Sequence, residues 1–376
     1  MRHTFLKCEW FVKLNPMHMH LGERIRLTLF GTSHGPRVGA ILKGVPAGIV
    51  LDYPAIEQAM ASRRPGGRYA SKRKEPDHVE IRTGVTDGCT TGEEIEISIT
   101  NTDAKSRDYS FLPDHPRPGH QDMVMQKRTN GEADLRGGGS SSARLTAALV
   151  AAAAVLSPLL NKLDIVCEAH VGAIGQVKAQ PMKLCPPRWE NEACQEMRCR
   201  DPVAALAMVE TVEQHRMERN SIGSRVDLCV TGVPLGLGEP WFDGLEPALA
   251  RAMMAIPAAR GVTFGRGFDV VGMSGLEHND VWGGTNELPT LTGEKPDGVL
   301  AGLATGSPIH VSVAFKPPSS IASEQLTLNL ATDSIEPLVV GGRHDPVLGP
   351  RAVAVVEAMA KLVLCDLALR GGFFDE

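Results

Sequence analysis

Three histidines lie in turn-like segments of the sequence: His34 in SHG, His120 in RPGH and His344 in RHDP. Because imidazole titrates near neutral pH, a histidine held beside glycine and arginine in a loop is suited to acid–base catalysis. A single such histidine is more often structural, but three in similar loops favour catalysis. The adjacent Asp345 can orient a histidine or accept a proton, although an ordinary ion pair with arginine would explain it equally well.

Arginines are concentrated at the same turns. Guanidinium groups bind phosphate and carboxylate with two parallel hydrogen bonds, so this many loop arginines suit a small ligand with several negative charges. Each of them alone could also be a solvated surface charge. The arginines are Arg63, Arg64, Arg68, Arg117, Arg136, Arg144 and Arg343.

The segment RGGGSSSAR at 136–144 leads into an alanine-rich apolar run that predicts a helix from Leu145. Ser141 or Ser142 can cap that helix, and the three preceding glycines allow a tight turn. Unpaired N–H groups at a helix start attract anions, so the flanking arginines favour a phosphate or carboxylate site. The alternative is a flexible linker before a core helix.

Other motifs give weaker signals. The segment KPPSS at 316–320 ends a predicted strand with a cation and two hydroxyl groups, which suits a phosphate but also an ordinary turn. The sequence contains no HExxH motif and no Walker loop, which argues against a zinc protease or a P-loop enzyme. Eight cysteines without CxxC spacing predict reduced thiols rather than a zinc site or a disulfide framework.

Composition indicates a globular chain. With 376 residues and 43% hydrophobic content, it can bury a large core as one domain or two closely joined ones. A net charge of −5 argues against nonspecific nucleic-acid binding. The apolar run at 145–160 looks too short to span a membrane because Ser157 and Pro158 should interrupt it, and the N-terminus lacks a signal-peptide core. We therefore expect a cytoplasmic protein, with residues 1–20 as a flexible extension and 21–376 as a single domain.

Hydrophobic periodicity predicts alternating strands and helices. Residues 101–120 read as a long functional loop, and 181–202 as irregular surface chain. Strands are predicted at 24–30, 40–45, 78–85, 93–101, 164–175, 224–232 and 308–317, and helices at 52–64, from 145, 202–218, 246–256 and 351–370. The segments 38–67 and 225–261 both contain a strand, a GVPxG turn, a helix with proline in its first turn and a Pro/Gly/Arg exit. This similarity predicts two equivalent halves, with chance likeness as the alternative.

Seven segments in this order resemble the chorismate synthase family, over about residues 22–369: FGTSHG, RRPGGRY, NTDAKSRDYS, RPGHQD, RGGGSSSAR, KPPSS and GGRHDP. The resemblance implies conversion of 5-enolpyruvylshikimate 3-phosphate to chorismate and phosphate by anti-1,4 elimination, the last step of the shikimate pathway. It also implies a need for reduced FMN without net redox change. The fold implied is α+β, an internally duplicated β-α-α-β sandwich with helices between two antiparallel sheets, assembled as a homotetramer.

The resemblance also implies roles for individual residues. His34 would protonate the departing phosphate, His120 would protonate or hydrogen-bond reduced flavin, and Asp345 would help relay the abstracted proton. The implied substrate contacts are Ser33, Arg63, Arg68, Arg117, Ser142 and Arg144. The implied flavin contacts are Ser140, Ser141, Ser142, Pro257, Ala258, Ala301, Lys316, Pro317, Pro318, Ser319, Ser320 and Arg343.

Some positions depart from the family pattern. Ser140 stands where arginine is common, Pro257 where asparagine is common, Gln121 where alanine is common and Ala301 where glycine is common, which concerns flavin contacts more than the reaction. The large insertion of bifunctional members is absent from the sequence, so we expect a monofunctional enzyme that relies on a separate NAD(P)H-dependent flavin reductase. Two alternatives are an NADPH-using flavin oxidoreductase, for which no GxGxxG turn is present, and a non-enzymatic flavin- or phosphate-binding scaffold.

Overall fold

The fold is described here from a computed structural model of the chain. It describes residues 18–64, 75–103, 106–187, 189–293, 297–342 and 344–374. Two of the predicted site residues, Arg68 and Arg343, lie outside the described residues.

The first of two large sheets has five antiparallel strands in the spatial order β1-β2-β3-β5-β4. Its central strand carries buried Val38, Ala40 and Leu42 at every second position, as expected for a strand with one face in the core. The strands are β1 (His20–Leu21), β2 (Arg26–Gly31), β3 (Arg37–Lys43), β4 (Glu80–Ile81) and β5 (Ile95–Thr100).

The second sheet is also five-stranded and antiparallel, in the order β9-β10-β8-β6-β7. Its edge strand β9 was not predicted from the sequence. The strands are β6 (Val166–Ile174), β7 (Val177–Lys178), β8 (Ser224–Thr231), β9 (Ala259–Phe264) and β10 (Ile309–Phe315). Four small hairpins join Val85–Thr86 to Cys89–Thr90, Trp282–Gly284 to Pro289–Leu291, Val299–Leu300 to Leu303–Ala304, and Gln325–Asn329 to Ser334–Leu338.

Helices fill the space between the two sheets. α3 packs on the first sheet, α8 packs on α3 and on the second sheet, α1 packs on α3 and α8, and α6 packs on α8 and β9. The predicted α+β architecture, with two helical layers between antiparallel sheets, is confirmed. The helices are α1 (Tyr53–Arg63), α2 (Asp122–Arg128), α3 (Thr146–Asn161), α4 (Glu192–Met197), α5 (Pro202–Met217), α6 (Leu245–Ala255), α7 (Gly275–His278) and α8 (Gly349–Arg370).

The expected interruption of the alanine-rich helix is wrong, because α3 continues through Pro158. That proline lies in the last turn, and the Ser157 hydroxyl donates to the carbonyl of Ala153 at 2.9 Å. By length and composition, the continuous segment 136–161 is long and apolar enough to cross a membrane. However, 83% of its most apolar stretch is buried inside the protein, which is typical of a core helix.

The structure refines other expectations about the chain. The region 181–202, predicted to be irregular, contains α4, whose N-cap Asn191 accepts a hydrogen bond from the backbone of Cys194 at 2.8 Å. The long loop before His120 contains a 3₁₀ turn at Ser106–Tyr109. Strand β1 begins at His20, inside the predicted extension; residues 1–17 of that extension lie outside the described residues.

The two similar sequence segments occupy comparable places. Each supplies the central strand of a five-stranded sheet, β3 or β8, followed by a helix that packs inside the sandwich, α1 or α6. This correspondence supports the proposal of two equivalent halves, which stays a prediction.

Candidate functional site

The turn that carries Ser33 and His34 rests on the glycine segment before α3. The Ser33 hydroxyl donates to the carbonyl of Arg136 at 2.9 Å, and the Ser33 amide donates to the carbonyl of Gly139 at 3.1 Å. Gly137, with φ of +59°, lies so close to His34 that an added Cβ would be 2.7 Å from its Cε1. The glycines therefore allow both the left-handed turn and the close approach of the histidine.

His120 belongs to a tight polar cluster at the start of α2. Its Nδ1 lies 2.6 Å from Oδ1 of Asp122, a fully buried carboxylate. The same carboxylate accepts hydrogen bonds from the Arg117 amide at 3.0 Å, from Nε at 2.7 Å and from Nη2 at 2.8 Å. Burial raises the pKa of Asp122, but hydrogen bonds and charge from Arg117 and His120 hold that pKa well below its usual range.

Tyr109 and Gln121 connect these two turns. The Tyr109 ring meets the His34 ring edge-on, with centroids 5.1 Å apart, and its face lies 5.5 Å from the guanidinium carbon of Arg117. The side-chain amide of Gln121 donates to the carbonyl of Gly138 at 2.7 Å. His34, His120 and the glycine segment are therefore parts of one site.

The segment 316–320 closes over the His120 turn. The ammonium group of Lys316 donates to the carbonyl of Gly119 and, at 3.0 Å, to the Ser319 hydroxyl. Arg117 Nη1 donates to the Ser320 hydroxyl at 3.2 Å. The Lys316 amide donates to the carbonyl of Ala258 at 3.0 Å, so the Pro257–Ala258 turn lies at the same edge.

Two arginines share one buried carboxylate beside the start of α3. Arg63 Nη1 donates to Oδ2 of Asp77 at 2.9 Å, and Arg144 Nη1 donates to Oδ1. Arg144 also donates to the side chain of Asn101 at 2.8 Å. Burial and the neighbouring charge of Arg351 lower the pKa of Arg63 to about 9, although Asp77 partly offsets this shift.

Asp345 lies just before α8. Its Oδ2 accepts a hydrogen bond from Arg351 Nη1 at 2.6 Å, and the Arg351 charge reaches Arg63. Nε2 of His344 lies 3.1 Å from the carbonyl of Val340; because a carbonyl only accepts, this nitrogen carries the hydrogen. Asp345 therefore lies beside the arginine cluster. His344 instead bonds to the backbone of the loop that precedes α8.

The chain is similar to known proteins along nearly its whole length. A family model described as chorismate synthase matches residues 25–369. The chorismate synthase of Aeropyrum pernix is 44% identical over 93% of this chain and 92% of its own. That of Methanosarcina barkeri is 40% identical over 94% of this chain and 97% of its own. A solved structure described as "Crystal Structure of Chorismate Synthase" superposes with a TM-score of 0.71, at 27% identity over 93% of both chains.

The chain belongs to the chorismate synthase family. The family match covers every predicted site residue, and the fold brings most of them together: the turns of His34 and His120, the serines at 140–142, the segment 316–320 and the arginines around Asp77. Their individual roles stay predictions. Arg64 lies apart, because it pairs with Glu57 at 2.7 Å on the outer side of α1.

Ala301 is the predicted flavin contact that this chain does not bring to the others. It is exposed at a hairpin tip, and the adjacent Gly302 carbonyl accepts a hydrogen bond from the amide of Leu245, the first residue of α6. Pro257 follows the other end of that helix. An eleven-residue helix is about 16 Å long, so the two predicted contacts lie well apart within one chain.

Sequence reasoning missed four residues of the site: Tyr109, Asp77, Asp122 and Arg351. Tyr109 and Asp122 stand inside motifs that carried the family resemblance, so their position beside a histidine or arginine was an available signal. Asp77 gave no local signal, because its partners Arg63 and Arg144 are distant in sequence. Arg351 pairs with the nearby Asp345, but its interaction with Arg63 leaves no spacing signal.

An open pocket elsewhere does not belong to this site. It lies between β1, α6 and the C-terminal end of α8, with Phe242, Arg251 and Asp366 in its lining. The site adjoins the opposite end of α8, a helix of 22 residues, about 33 Å long.

Proposed function

We propose that this protein converts 5-enolpyruvylshikimate 3-phosphate to chorismate and inorganic phosphate by an anti-1,4 elimination with reduced FMN, as the last step of the shikimate pathway. The observation that carries the proposal is the meeting of two histidine turns on one glycine segment, with arginines on either side. Membership of the family supports the same reaction.

The residues present suit a flavin mononucleotide. Gly138 has no side chain, and this leaves a space beside His120. An added Cβ would occupy it, 3.7 Å from the His120 Cε1. Lys316, Ser319 and Ser320 offer a cation and two hydroxyl groups in one segment, which suit a phosphate or a polar ring edge. We infer that these residues, with the serines at 140–142 and the Pro257–Ala258 turn, hold the cofactor.

When bound, reduced FMN supplies electron density that assists loss of the phosphate, with no net oxidation or reduction. His34 donates a proton to the departing phosphate, which makes it a better leaving group. Arg63, Arg117 and Arg144 balance the negative charges of the substrate, assisted by the hydroxyl groups of Ser33 and Ser142. Asp345 helps to relay the abstracted proton through its carboxylate.

The proposed partners are a separate NAD(P)H-dependent flavin reductase and three further copies of the chain in a homotetramer. The chain itself is proposed to be monofunctional and cytoplasmic. Large apolar side chains left exposed by one copy support an assembly. Trp241, Phe242, Phe268 and Leu276 each expose more than four fifths of their surface. Light scattering coupled to size-exclusion chromatography tests the tetramer, and a monomer at working concentration would contradict it.

An anaerobic phosphate-release assay tests the reaction. Purified protein is incubated with 5-enolpyruvylshikimate 3-phosphate and dithionite-reduced FMN, with oxidised FMN as the control. Release that requires reduced flavin supports the proposal. NADPH consumption without phosphate release would instead indicate a flavin oxidoreductase, and ligand binding without turnover would indicate a scaffold.

His34→Ala and His120→Ala extend that assay to the two histidines. Each should slow phosphate release about 10²-fold or more if the histidine handles a proton. Circular dichroism must show the wild-type spectrum for both variants. Equal loss of folded protein would assign the histidines a structural role.

A further inference from the structure

We propose that Asp122 is the positioning residue of the site. It holds His120 in the tautomer that leaves Nε2, on the side of Gly138, free to meet a ligand, and it keeps Arg117 beside His120. The proposal deepens the proposed function and rests on it for the identity of the ligand. The carboxylate itself is fully buried against Arg117 and His120.

The contacts of Asp122 fill its hydrogen-bonding capacity. A carboxylate offers about four acceptor positions, and each oxygen here receives two donors: Oδ1 those of His120 and Arg117 Nη2, Oδ2 those of the Arg117 amide and Nε. The side chain is also fully buried. Asp122 therefore acts through the two residues it binds and not on a ligand.

The hydrogen-bond geometry decides the tautomer of His120. An ionised carboxylate only accepts, so the 2.6 Å contact requires that Nδ1 carries a hydrogen. Arg117 Nη2 also lies 3.0 Å from Nδ1, but it too is a donor: it donates to the carboxylate at 2.8 Å and to the carbonyl of Leu135 at 3.5 Å. In neutral His120, Nε2 is then the acceptor, and this nitrogen lies on the side of Gly138.

Charged groups of both signs surround His120. They are Asp122 and Arg117 from its own turn, and Lys316 from the facing segment, which is bound to the Gly119 carbonyl. Protonated His120 keeps its Nδ1 bond and can donate from Nε2.

Asparagine at this position cannot replace aspartate. If its oxygen faces His120, its NH₂ group meets the Arg117 amide and Nε, which are donors. If its NH₂ group faces His120, it donates to Nδ1, imposes the other tautomer and meets Arg117 Nη2. Either orientation leaves donors opposed to donors in a buried place, so His120 and Arg117 cannot both be held.

Deuterium exchange at histidine Cε1, followed residue by residue with mass spectrometry, tests the proposal without flavin or substrate. Its pH midpoint reports protonation of the individual imidazole. In Asp122→Asn, we expect the His120 midpoint to fall, because a contacting negative charge is lost. Turnover should fall about 10²- to 10⁴-fold, and Asp122→Glu, which restores the charge, should recover the midpoint and part of the turnover.

Asp366→Asn is the matched control. Asp366 is another buried aspartate and lies near the C-terminal end of α8, the end away from the site. It accepts backbone hydrogen bonds from residues 23–25. This variant should lose stability but keep the wild-type His120 midpoint and turnover per folded molecule. The proposal is overturned if folded Asp122→Asn keeps the wild-type midpoint, or if Asp366→Asn shifts it equally.

Other outcomes separate this proposal from the reaction. If Asp122→Asn does not fold, Asp122→Glu is the deciding variant, because it keeps the negative charge but displaces it. Wild-type turnover per folded molecule in Asp122→Glu would then overturn the proposal. If wild-type protein releases no phosphate, the proposed reaction fails, while the exchange midpoints still decide whether Asp122 controls His120.

Discussion

Arg63 and Arg144 donate to the two different oxygens of one carboxylate, that of Asp77. All three side chains are at most 3% exposed, so the two guanidinium groups are held apart from water and share the Asp77 charge. A second carboxylate, Glu75, lies 3.8 Å from Arg144. The basic cluster at the start of α3 is therefore built around a buried anion.

The first prediction concerns that anion. Asp77→Asn removes the shared charge and leaves two buried guanidinium groups facing each other, so we expect a loss of about 3–5 kcal/mol in the free energy of unfolding. Urea denaturation measures it. Glu57→Gln is the control, because Glu57 pairs with Arg64 at an exposed site and should cost at most about 1 kcal/mol. Equal losses in the two variants would show that the buried carboxylate has no special role.

A second prediction concerns the glycine turn under His34. In Gly137→Ala, the new Cβ would lie 2.7 Å from the His34 Cε1 and 2.8 Å from the Ser33 hydroxyl, so the histidine must move. Displacing a reacting group by about 1 Å can cost about 10²-fold in rate, and we expect a loss of phosphate release of that size. The measurement is turnover per folded molecule.

Gly131→Ala separates that displacement from backbone strain. Gly131 has a φ of +83° but nothing within 4 Å of an added Cβ, so its substitution carries strain of about 1 kcal/mol without a clash. It should lower stability and leave turnover unchanged. If both alanine variants lose turnover alike, the contact between Gly137 and His34 is not what matters.

The sequence predicted the parts of this site that are local. His34, His120 and the glycine segment could be found because residue types and short spacings already determine a turn and its chemistry. The sandwich followed from the family resemblance, and the buried faces of strands such as β3 from alternation. Pro158 misled the helix prediction: it removes one backbone hydrogen bond, but the buried Leu159 and Leu160 that follow it keep α3 helical to Asn161.

The interior carboxylates could not be predicted in the same way. Asp77 and Asp122 each read as one polar residue in a polar stretch, and only tertiary structure shows that both are buried against arginines. The hairpin of Gln325–Asn329 and Ser334–Leu338 was missed too, although it holds the chain before Arg117: the Thr327 hydroxyl donates to the carbonyl of Pro116, and the Leu330 amide to that of Asp114. Long-range contacts of this kind leave no spacing signal.

The third prediction concerns pH and His170, a fully buried histidine on β6 whose Nε2 has no hydrogen-bond partner within the described chain. Burial lowers the pKa of His170 to about 4; Asp227 opposes this shift, and Arg200 and Arg225 add to it. An unfolded histidine titrates near about 6.5, so between these pH values the unfolded chain binds more protons. Stability should therefore fall as pH is lowered from about 6.5 to about 4.

His170→Gln tests that contribution. Urea denaturation at several pH values should show a shallower fall in the free energy of unfolding across that window than in wild type. The control is His215→Gln, on α5, where the ring lies 2.8 Å from the carbonyl of Thr211. A wild-type slope in His170→Gln would contradict the assigned origin of the acid sensitivity.

The last prediction concerns Lys316, whose ammonium group joins the His120 turn to the segment 316–320. Burial and the charge of Arg260 lower the pKa of Lys316, which indicates a partly desolvated cation. A charge-assisted hydrogen bond contributes about 1.5–3 kcal/mol, so Lys316→Met should weaken FMN binding about 10- to 100-fold. Flavin fluorescence titration measures the affinity. The control is Lys178→Met, at the exposed end of β7, which removes the same charge far from the turn and should bind FMN as wild type does. Equal weakening in the two variants would show that only the net charge of the protein matters.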